Sequence, residues 1–280
     1  MIIWLSSFPK SGNTWLRSIV SSLVYSDDGI FNFSLNKKIR QFPSKEHLLD
    51  FTNDFNNIHE IKKYWVLAQE KLNLDNEIKF FKTHHLNCTI DNHPFTNKEN
   101  TAGTIYIVRD PRNLVNSISN HFSKSIVEAK DFLFKANIIG AEKDDKFKGE
   151  VVKLIGSWKD HFNFWTKKND NLLLIKYENI VLDPQKELDK IKNFFSKFIK
   201  FKFNETKEKN IIESTSFDSL RKMEENGDFN ENVFEKISNK KIRFFNKGPS
   251  NNWQDSLDKN IILEIEKNFN EEMKELRYIN

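Results

Sequence analysis

The 280-residue chain contains a single cysteine, only 8 glycines and 6 prolines, and no long apolar run. Cys88 cannot close an internal disulfide, which excludes a disulfide scaffold and suits a reducing compartment; as a lone thiol it reads as a buried small apolar residue. The scarcity of Gly and Pro excludes fibrous and linker-like classes. No stretch of about 18 apolar residues occurs, and Met1-Ile2-Ile3-Trp4-Leu5 is too short, with no basic segment before it, for a signal peptide or a membrane span. A cytoplasmic protein without stable membrane insertion is expected. Nor does one sign of charge dominate. Lys+Arg number 44 against 40 Asp+Glu, a net charge of +4, and the two signs are interleaved rather than gathered into a basic stripe. No nucleic-acid partner is expected, whereas a small anionic ligand fits.

What the chain does have is aromatic bulk, 26 Phe and 6 Trp, which supplies a core large enough to dispense with disulfides or a structural metal. Its bias toward Lys, Asn, Ile and Phe fits an AT-rich genome and so a bacterial source. No repeat or linker interrupts it, so a single domain over residues 1–280 is expected.

The pattern of elements follows from periodicity and turn chemistry. Ile2 to Ser6 reads as a short buried strand, broken by Ser7-Phe8-Pro9-Lys10-Ser11-Gly12. Asn13 then suits an N-cap, with Trp15, Leu16, Ile19, Val20 and Leu23 at helical spacing as far as Tyr25. Ser44 to about Leu74 reads as two polar helices with Leu48, Leu49, Ile61, Tyr64, Trp65 and Leu67 turned inward. Ile78–Thr83, Thr104–Val108 and Leu172–Ile175 read as further strands. Asp110 caps a helix with Pro111 at its first position. Gly140 to Gly149 reads as a charged surface loop, Val151 to Lys167 as a helix, Asp183-Pro184 as the start of one reaching Phe198, and Ser256 to Leu276 as a terminal one. Apolar strands separated by helices predict a parallel sheet covered on both faces. Ligands in such folds bind beyond the carboxyl ends of the strands.

Three loops there carry chemistry. Phe8 to Trp15 leads from a strand into a helix, so backbone N–H groups and the helix dipole would face an anion. Gly12 allows close approach, Ser11 and Thr14 offer hydroxyls, and Lys10 adds a charge. An ordinary turn with an exposed lysine would look the same locally. The ATPase loop is excluded, since lysine precedes the glycine instead of following it. Lys82-Thr83-His84 ends the second strand, where His84 is placed as a general base or as a hydrogen-bonded surface group. His85 points to the opposite face, so only one of the pair can lie in the site. Arg109 ends the third strand, with Ser117 eight positions on; together they could hold a phosphate, or Arg109 could pair with Asp110.

Ser7-Phe8-Pro9-Lys10-Ser11-Gly12-Asn13-Thr14-Trp15-Leu16 and Ile105 to Ser117, including Val108-Arg109-Asp110-Pro111-Arg112, resemble the two nucleotide-binding signatures of cytosolic-type sulfotransferases. These enzymes use 3′-phosphoadenosine 5′-phosphosulfate (PAPS). Lys82-Thr83-His84 lies between them, as the family's base motif does. Tyr177-Glu178-Asn179, Glu213-Ser214-Thr215-Ser216-Phe217 and Phe244-Phe245-Asn246-Lys247-Gly248 followed by Trp253 are similar to its later motifs, in the same order.

The resemblance implies an α/β fold of the P-loop-containing NTPase-like kind, a three-layer sandwich with a central, mainly parallel sheet flanked by helices. It implies PAPS as co-substrate, 3′,5′-ADP as product and a small-molecule acceptor. Lys10, Ser11, Gly12, Asn13 and Thr14 would hold the 5′-phosphosulfate. Trp15 and Phe217 would sandwich the adenine, and Tyr177 and Thr215 would bond to it. Arg109 and Ser117 would bind the 3′-phosphate, with Lys247 and Gly248 from the far side. His84 would take the acceptor's proton, and Lys10 would stabilise the departing phosphate. No metal is expected. Two departures stand out. Asn246 replaces the arginine that usually precedes Lys-Gly, with Arg243 near enough to stand in, and the family's dimerisation element has no match at Asp258 to Ile262, leaving the oligomeric state open. The competing readings are a P-loop kinase or NTPase using Mg-ATP and a non-catalytic nucleotide-binding relative. Acceptor contacts are expected from Asp27–Asn76, Ser123–Gly149 and Asp228–Arg243. Phe31, Phe33, Phe122 and Phe132 could line that pocket, though each also suits the core.

Overall fold

The computed structural model describes residues 1–140, 151–167, 169–229, 231, 233–234 and 241–280. Strand β1 (Ile2–Ser6) runs into helix α1 (Asn13–Tyr25), followed by the short edge strand β2 (Arg40–Gln41), β3 (Lys79–Thr83) and β4 (Thr101–Val108). Helix α2 (Pro111–Phe122), strand β5 (Leu172–Lys176) and helix α3 (Tyr177–Leu182) complete the frame of the site. The sheet order is β2-β3-β1-β4-β5, and every pairing within it is parallel.

Each central strand is apolar on both sides because both faces are covered. Ile2, Trp4, Phe81, Tyr106 and Val108 point into one core, with Trp65, Phe95, Phe162 and Trp165. Ile3, Leu5, Phe80, Ile105, Ile107 and Ile175 point into the other, against Leu16, Val20 and Leu23 of α1. This is the expected helix–sheet–helix sandwich. The chain crosses from β3 on one side of β1 to β4 on the other, which opens a crevice at the carboxyl ends of the strands.

Several elements differ from their reading. The helix expected over Val151 to Lys167 is instead a strand, Lys153–Gly156, paired antiparallel with Asn137–Ile139, and then a helix, Trp158–Thr166. Gly156 at φ 73° ends the strand, and Ser157 with Asp160 closes a capping box that starts the helix. The terminal helix is two, Lys259–Asn268 and Asn270–Glu275, and the Pro184 helix stops at Phe195. Between Ser44 and Leu74 the helices are Lys45–Leu48, Ile58–Ile61 and Trp65–Leu72. Leu48, Ile61 and Trp65 are buried there, while Leu49 and Leu67 face outward. Residues 141–149 of the expected surface loop lie outside the described residues. Cys88 is buried, and burial raises its thiol to about 11, so it stays protonated. Among the described residues no helix is long and apolar enough to cross a membrane.

Candidate active site

A cavity of about 1250 Å³ opens at the carboxyl ends of β1, β3, β4 and β5. Lys10, Gly12, Asn13, Thr14, Trp15, His84, Arg109, Ser117, Tyr177, Phe217, Lys247 and Gly248 all line it. A smaller apolar cavity of about 200 Å³ next to it is lined by Trp15, Thr215, Phe217, Ile19 and Leu188. Of the residues expected to hold the nucleotide or take the proton, Ser11 alone lines neither.

The β1–α1 loop is built for close approach. Gly12 adopts φ 102°, and a Cβ there would stand 2.7 Å from the Tyr177 ring, so both backbone and space demand glycine. Lys10 is also left-handed, at φ 68°. Asn13 is not the N-cap. Gly12 takes that position and offers no side-chain cap, while the Asn13 amide turns back to donate to the Leu5 carbonyl at 2.9 Å and Ser7 Oγ at 3.2 Å. The loop is thereby pinned to its strand, and the first-turn N–H groups of α1 are left for an anion. Ser11 is fully buried, and its Oγ has no hydrogen-bond partner.

His84 sits where β3 ends. The Ser7 carbonyl accepts from its Nδ1 at 2.7 Å; a carbonyl carries no hydrogen, so the proton is on Nδ1 and the Nε2 lone pair is free. Burial, reinforced by the positive charge of Lys82, holds the imidazolium well below its usual range, so His84 is neutral at pH 7. Behind it, His161 Nε2 donates to the His84 carbonyl at 3.2 Å and its Nδ1 meets Tyr106 Oη at 2.9 Å. His85 is a core residue, stacked on Phe95 with ring centroids 4.5 Å apart and its Nδ1 bonded to the Leu86 carbonyl. Only His84 faces the cavity.

Burial pulls the Lys10 ammonium down to about 7, with Lys82 and Arg109 adding like-charge repulsion. Its Nζ lies 3.7 Å over the Phe244 ring and 3.3 Å from His121 Nδ1. Lys82 approaches Glu231 at 3.8 Å, and Arg17 bonds to the same carboxylate. Burial works against that charge, but Lys82 and Arg17 outweigh it and hold Glu231 at about 2. Glu231, Arg17, His121 and Lys153 escaped the sequence reading. Arg17 and Glu231 are 214 positions apart, and no local pattern links them.

Across the cavity, Arg109 donates to Ser117 Oγ at 3.2 Å and to the Gly248 carbonyl at 3.3 Å. Its guanidinium lies 4.0 Å over the Tyr177 ring, and its buried Nε is unpartnered. It does not pair with Asp110, whose carboxylate caps α2 and binds Arg112. A planar fork between a serine hydroxyl and a backbone turn, with a donor to spare, suits a phosphate. Trp15 meets Tyr177 edge-on at 5.4 Å, and a Cβ on Gly248 would stand 2.2 Å from the Phe217 ring. Thr215 is buried and donates to the Ile211 carbonyl at 2.7 Å, which leaves its oxygen able only to accept. Arg243 does not stand in at the position of Asn246. It pairs with Glu225 at 3.1 Å and lies off the cavity that Asn246 lines. Phe122 lines the cavity, whereas Phe31 and Phe33 are core residues. Among the described residues no cluster of His, Cys, Asp or Glu could hold a metal ion.

A parallel sheet, an anion-ready helix start and a second cationic fork across one crevice make an α/β protein with two places for anionic groups in a single cavity. Residues 2–277 match the family model described as the sulfotransferase domain. The chain belongs to that family and is a sulfotransferase, an enzyme that takes its sulfuryl group from PAPS. It is 24% identical over 284 residues to cytosolic sulfotransferase 13 of Arabidopsis thaliana, covering 97% of this chain and 76% of the relative. It superposes on mouse sulfotransferase SULT7A1, crystallised with PAP, with a TM-score of 0.60 at 22% identity, over 97% of this chain and 84% of the other. Retinol dehydratase in complex with androsterone and PAP gives a TM-score of 0.60 at 16% identity, over 98% of this chain and 80% of the other. At these identities the two structures speak for the fold.

Proposed function

We propose that the chain, acting as one domain over residues 1–280, moves the sulfuryl group of PAPS in line to a hydroxyl or amine of a small organic acceptor, with His84 as general base. The observation that carries this is the bond from His84 Nδ1 to the Ser7 carbonyl, which aims a neutral Nε2 into the cavity that Lys10 also lines. Several features fit PAPS: the uncapped first turn of α1, the unpartnered Ser11 Oγ and Arg109 Nε, and the close approach that Gly12 permits.

In this reading Lys10, Ser11, Gly12, Asn13 and Thr14 hold the 5′-phosphosulfate. Trp15 and Phe217 flank the adenine, Tyr177 and Thr215 bond at its edge, and Arg109 and Ser117 take the 3′-phosphate with Lys247 and Gly248. His84 Nε2 accepts the acceptor's proton as the new bond to sulfur forms. The bond from sulfur to the bridging phosphate oxygen breaks, and Lys10 bears on the charge left on that oxygen in 3′,5′-ADP. Positioning and fixed charge would supply most of the rate enhancement. The complexes of retinol dehydratase with androsterone and with retinol support an acceptor of that size. Phe122, Ile139, Val151 and Lys153 line the same cavity as His84 and are the walls such an acceptor would meet. A cytoplasmic setting accords with its likeness to the cytosolic sulfotransferase of Arabidopsis thaliana.

The test is a thermal-shift titration with 3′,5′-ADP, 5′-AMP and Mg-ATP at equal concentrations. At 100 times its dissociation constant a ligand stabilises the fold by about 2.7 kcal/mol, roughly a few degrees in Tm. A shift with 3′,5′-ADP that the other two do not match is expected. A shift with Mg-ATP alone would overturn the reading, as would sulfuryl transfer abolished by EDTA.

A further inference from the structure

Arg109, which lies over the Tyr177 ring, is the group presented to the 3′-phosphate in the proposed function, and the residues that follow Arg109 and Tyr177 are tied together. Glu178 Oε1 accepts from the Asp110 backbone N–H at 2.9 Å, and its Oε2 accepts from the Tyr278 hydroxyl at 2.9 Å. Tyr278 is held in turn. Its carbonyl accepts from Arg112 Nη2 at 2.9 Å, while the same guanidinium binds the Asp110 carboxylate at 2.6 Å, Glu266 at 2.6 Å and the face of Trp253 at 4.0 Å. Three segments far apart in sequence thus converge on the peptide that carries Arg109. None of Glu178, Tyr278 and Arg112 lines the cavity.

We propose that Tyr278 is a positioning residue for nucleotide recognition, acting through Glu178 to fix the Arg109–Asp110 peptide so that the Arg109 fork faces the 3′-phosphate. The physical reason is that Glu178 is a half-buried carboxylate whose two oxygens are served by two donors of opposite origin, one from the Arg109 loop and one from Tyr278. Burial pushes its carboxyl up, while the Asp110 N–H and the Tyr278 hydroxyl both favour its charged form. Without the hydroxyl, Glu178 keeps only one of the two donors that fix its carboxylate. The Asp110 N–H then meets a less firmly held acceptor, and the Arg109 cation beside it gains freedom to leave its place over Tyr177. The aligned fork is needed for the 3′-phosphate and not for the adenine or the 5′-phosphate.

The inference rests on the PAPS reading, and its test separates the two. In Tyr278→Phe the dissociation constant of 3′,5′-ADP should rise about three- to tenfold, the range of an ordinary single hydrogen bond, because the lost bond acts on the nucleotide only indirectly. That of 5′-AMP should stay within about twofold, and kcat at saturating PAPS should be unchanged while KM for PAPS rises. In Glu178→Gln the same selective loss is expected, and adding Tyr278→Phe to it should cost little more, because both changes break one chain of contacts. If Tyr278→Phe weakens both nucleotides equally, or lowers Tm with no change in their ratio, its role is only structural and the proposal fails. Additive losses in the double variant would overturn it too. If the wild-type protein does not prefer 3′,5′-ADP at all, the PAPS reading falls first.

Discussion

The Ser7 carbonyl oxygen accepts the Nδ1 proton of His84 at 2.7 Å, and this one contact decides which imidazole nitrogen can do chemistry. Ser7 belongs to the β1–α1 loop and His84 to the end of β3, so the proposed base is oriented by the same loop that would hold the departing phosphate. Base and leaving-group site are therefore in fixed register, which in-line transfer requires.

Replacement of His84 by Ala should lower kcat by about 10²–10⁴ and leave the affinity for 3′,5′-ADP within about twofold. Turnover assays beside nucleotide titrations check this. Comparable turnover in the variant would remove His84 from the mechanism, and the buried, stacked His85 could not replace it.

The pH dependence of the wild-type enzyme follows from two depressed groups. His84 titrates well below its ordinary value, so kcat should stay flat as pH falls through 6.5 and decline only further down. Lys10 loses its proton at about 7 in the free protein, whereas a bound phosphosulfate would keep it charged. Binding then takes up a proton above pH 7, and affinity for 3′,5′-ADP should fall by up to about tenfold per pH unit above that value. Lys10→Arg, charged throughout this range, should abolish the slope. A slope unchanged in that variant would assign it to another group.

Arg109→Ala should erode the preference for 3′,5′-ADP over 5′-AMP by roughly ten- to a hundredfold, the range for losing charged hydrogen bonds to a phosphate. Competition titrations with the two nucleotides measure it. An unchanged ratio would place 3′-phosphate recognition elsewhere.

Gly12→Ala combines an unfavourable backbone at φ 102° with a Cβ 2.7 Å from the Tyr177 ring. A cost of about 1–3 kcal/mol is expected, seen as a Tm lower by several degrees together with weaker 3′,5′-ADP binding. A variant with native Tm and affinity would show that the loop yields freely and has no fixed shape.

Much of the site was legible because its parts are local. Strand, tight loop and helix follow from five apolar residues, a glycine and apolar spacing in Leu16, Ile19, Val20 and Leu23, and Asp110-Pro111 announces a helix start wherever it stands. The misreadings came where two local patterns compete. Val151, Val152, Leu154 and Ile155 fit a helix as well as a strand, and Gly156-Ser157, which resolves the choice, reads as loop chemistry only once the strand has a partner. Asn13 looks like a cap by type, yet the Leu5 carbonyl eight residues earlier claims its amide.

Sequence alone determined the class of chemistry, since anion-binding turns and helix starts depend on residues that are neighbours in the chain. Tertiary structure decided which groups meet. Gly248 lies against Phe217, Glu231 between Arg17 and Lys82, and Tyr278 on Glu178. These contacts join residues from about 30 to more than 200 positions apart. Strand order and packing bring them together, and neither leaves a period or a turn signal in the chain.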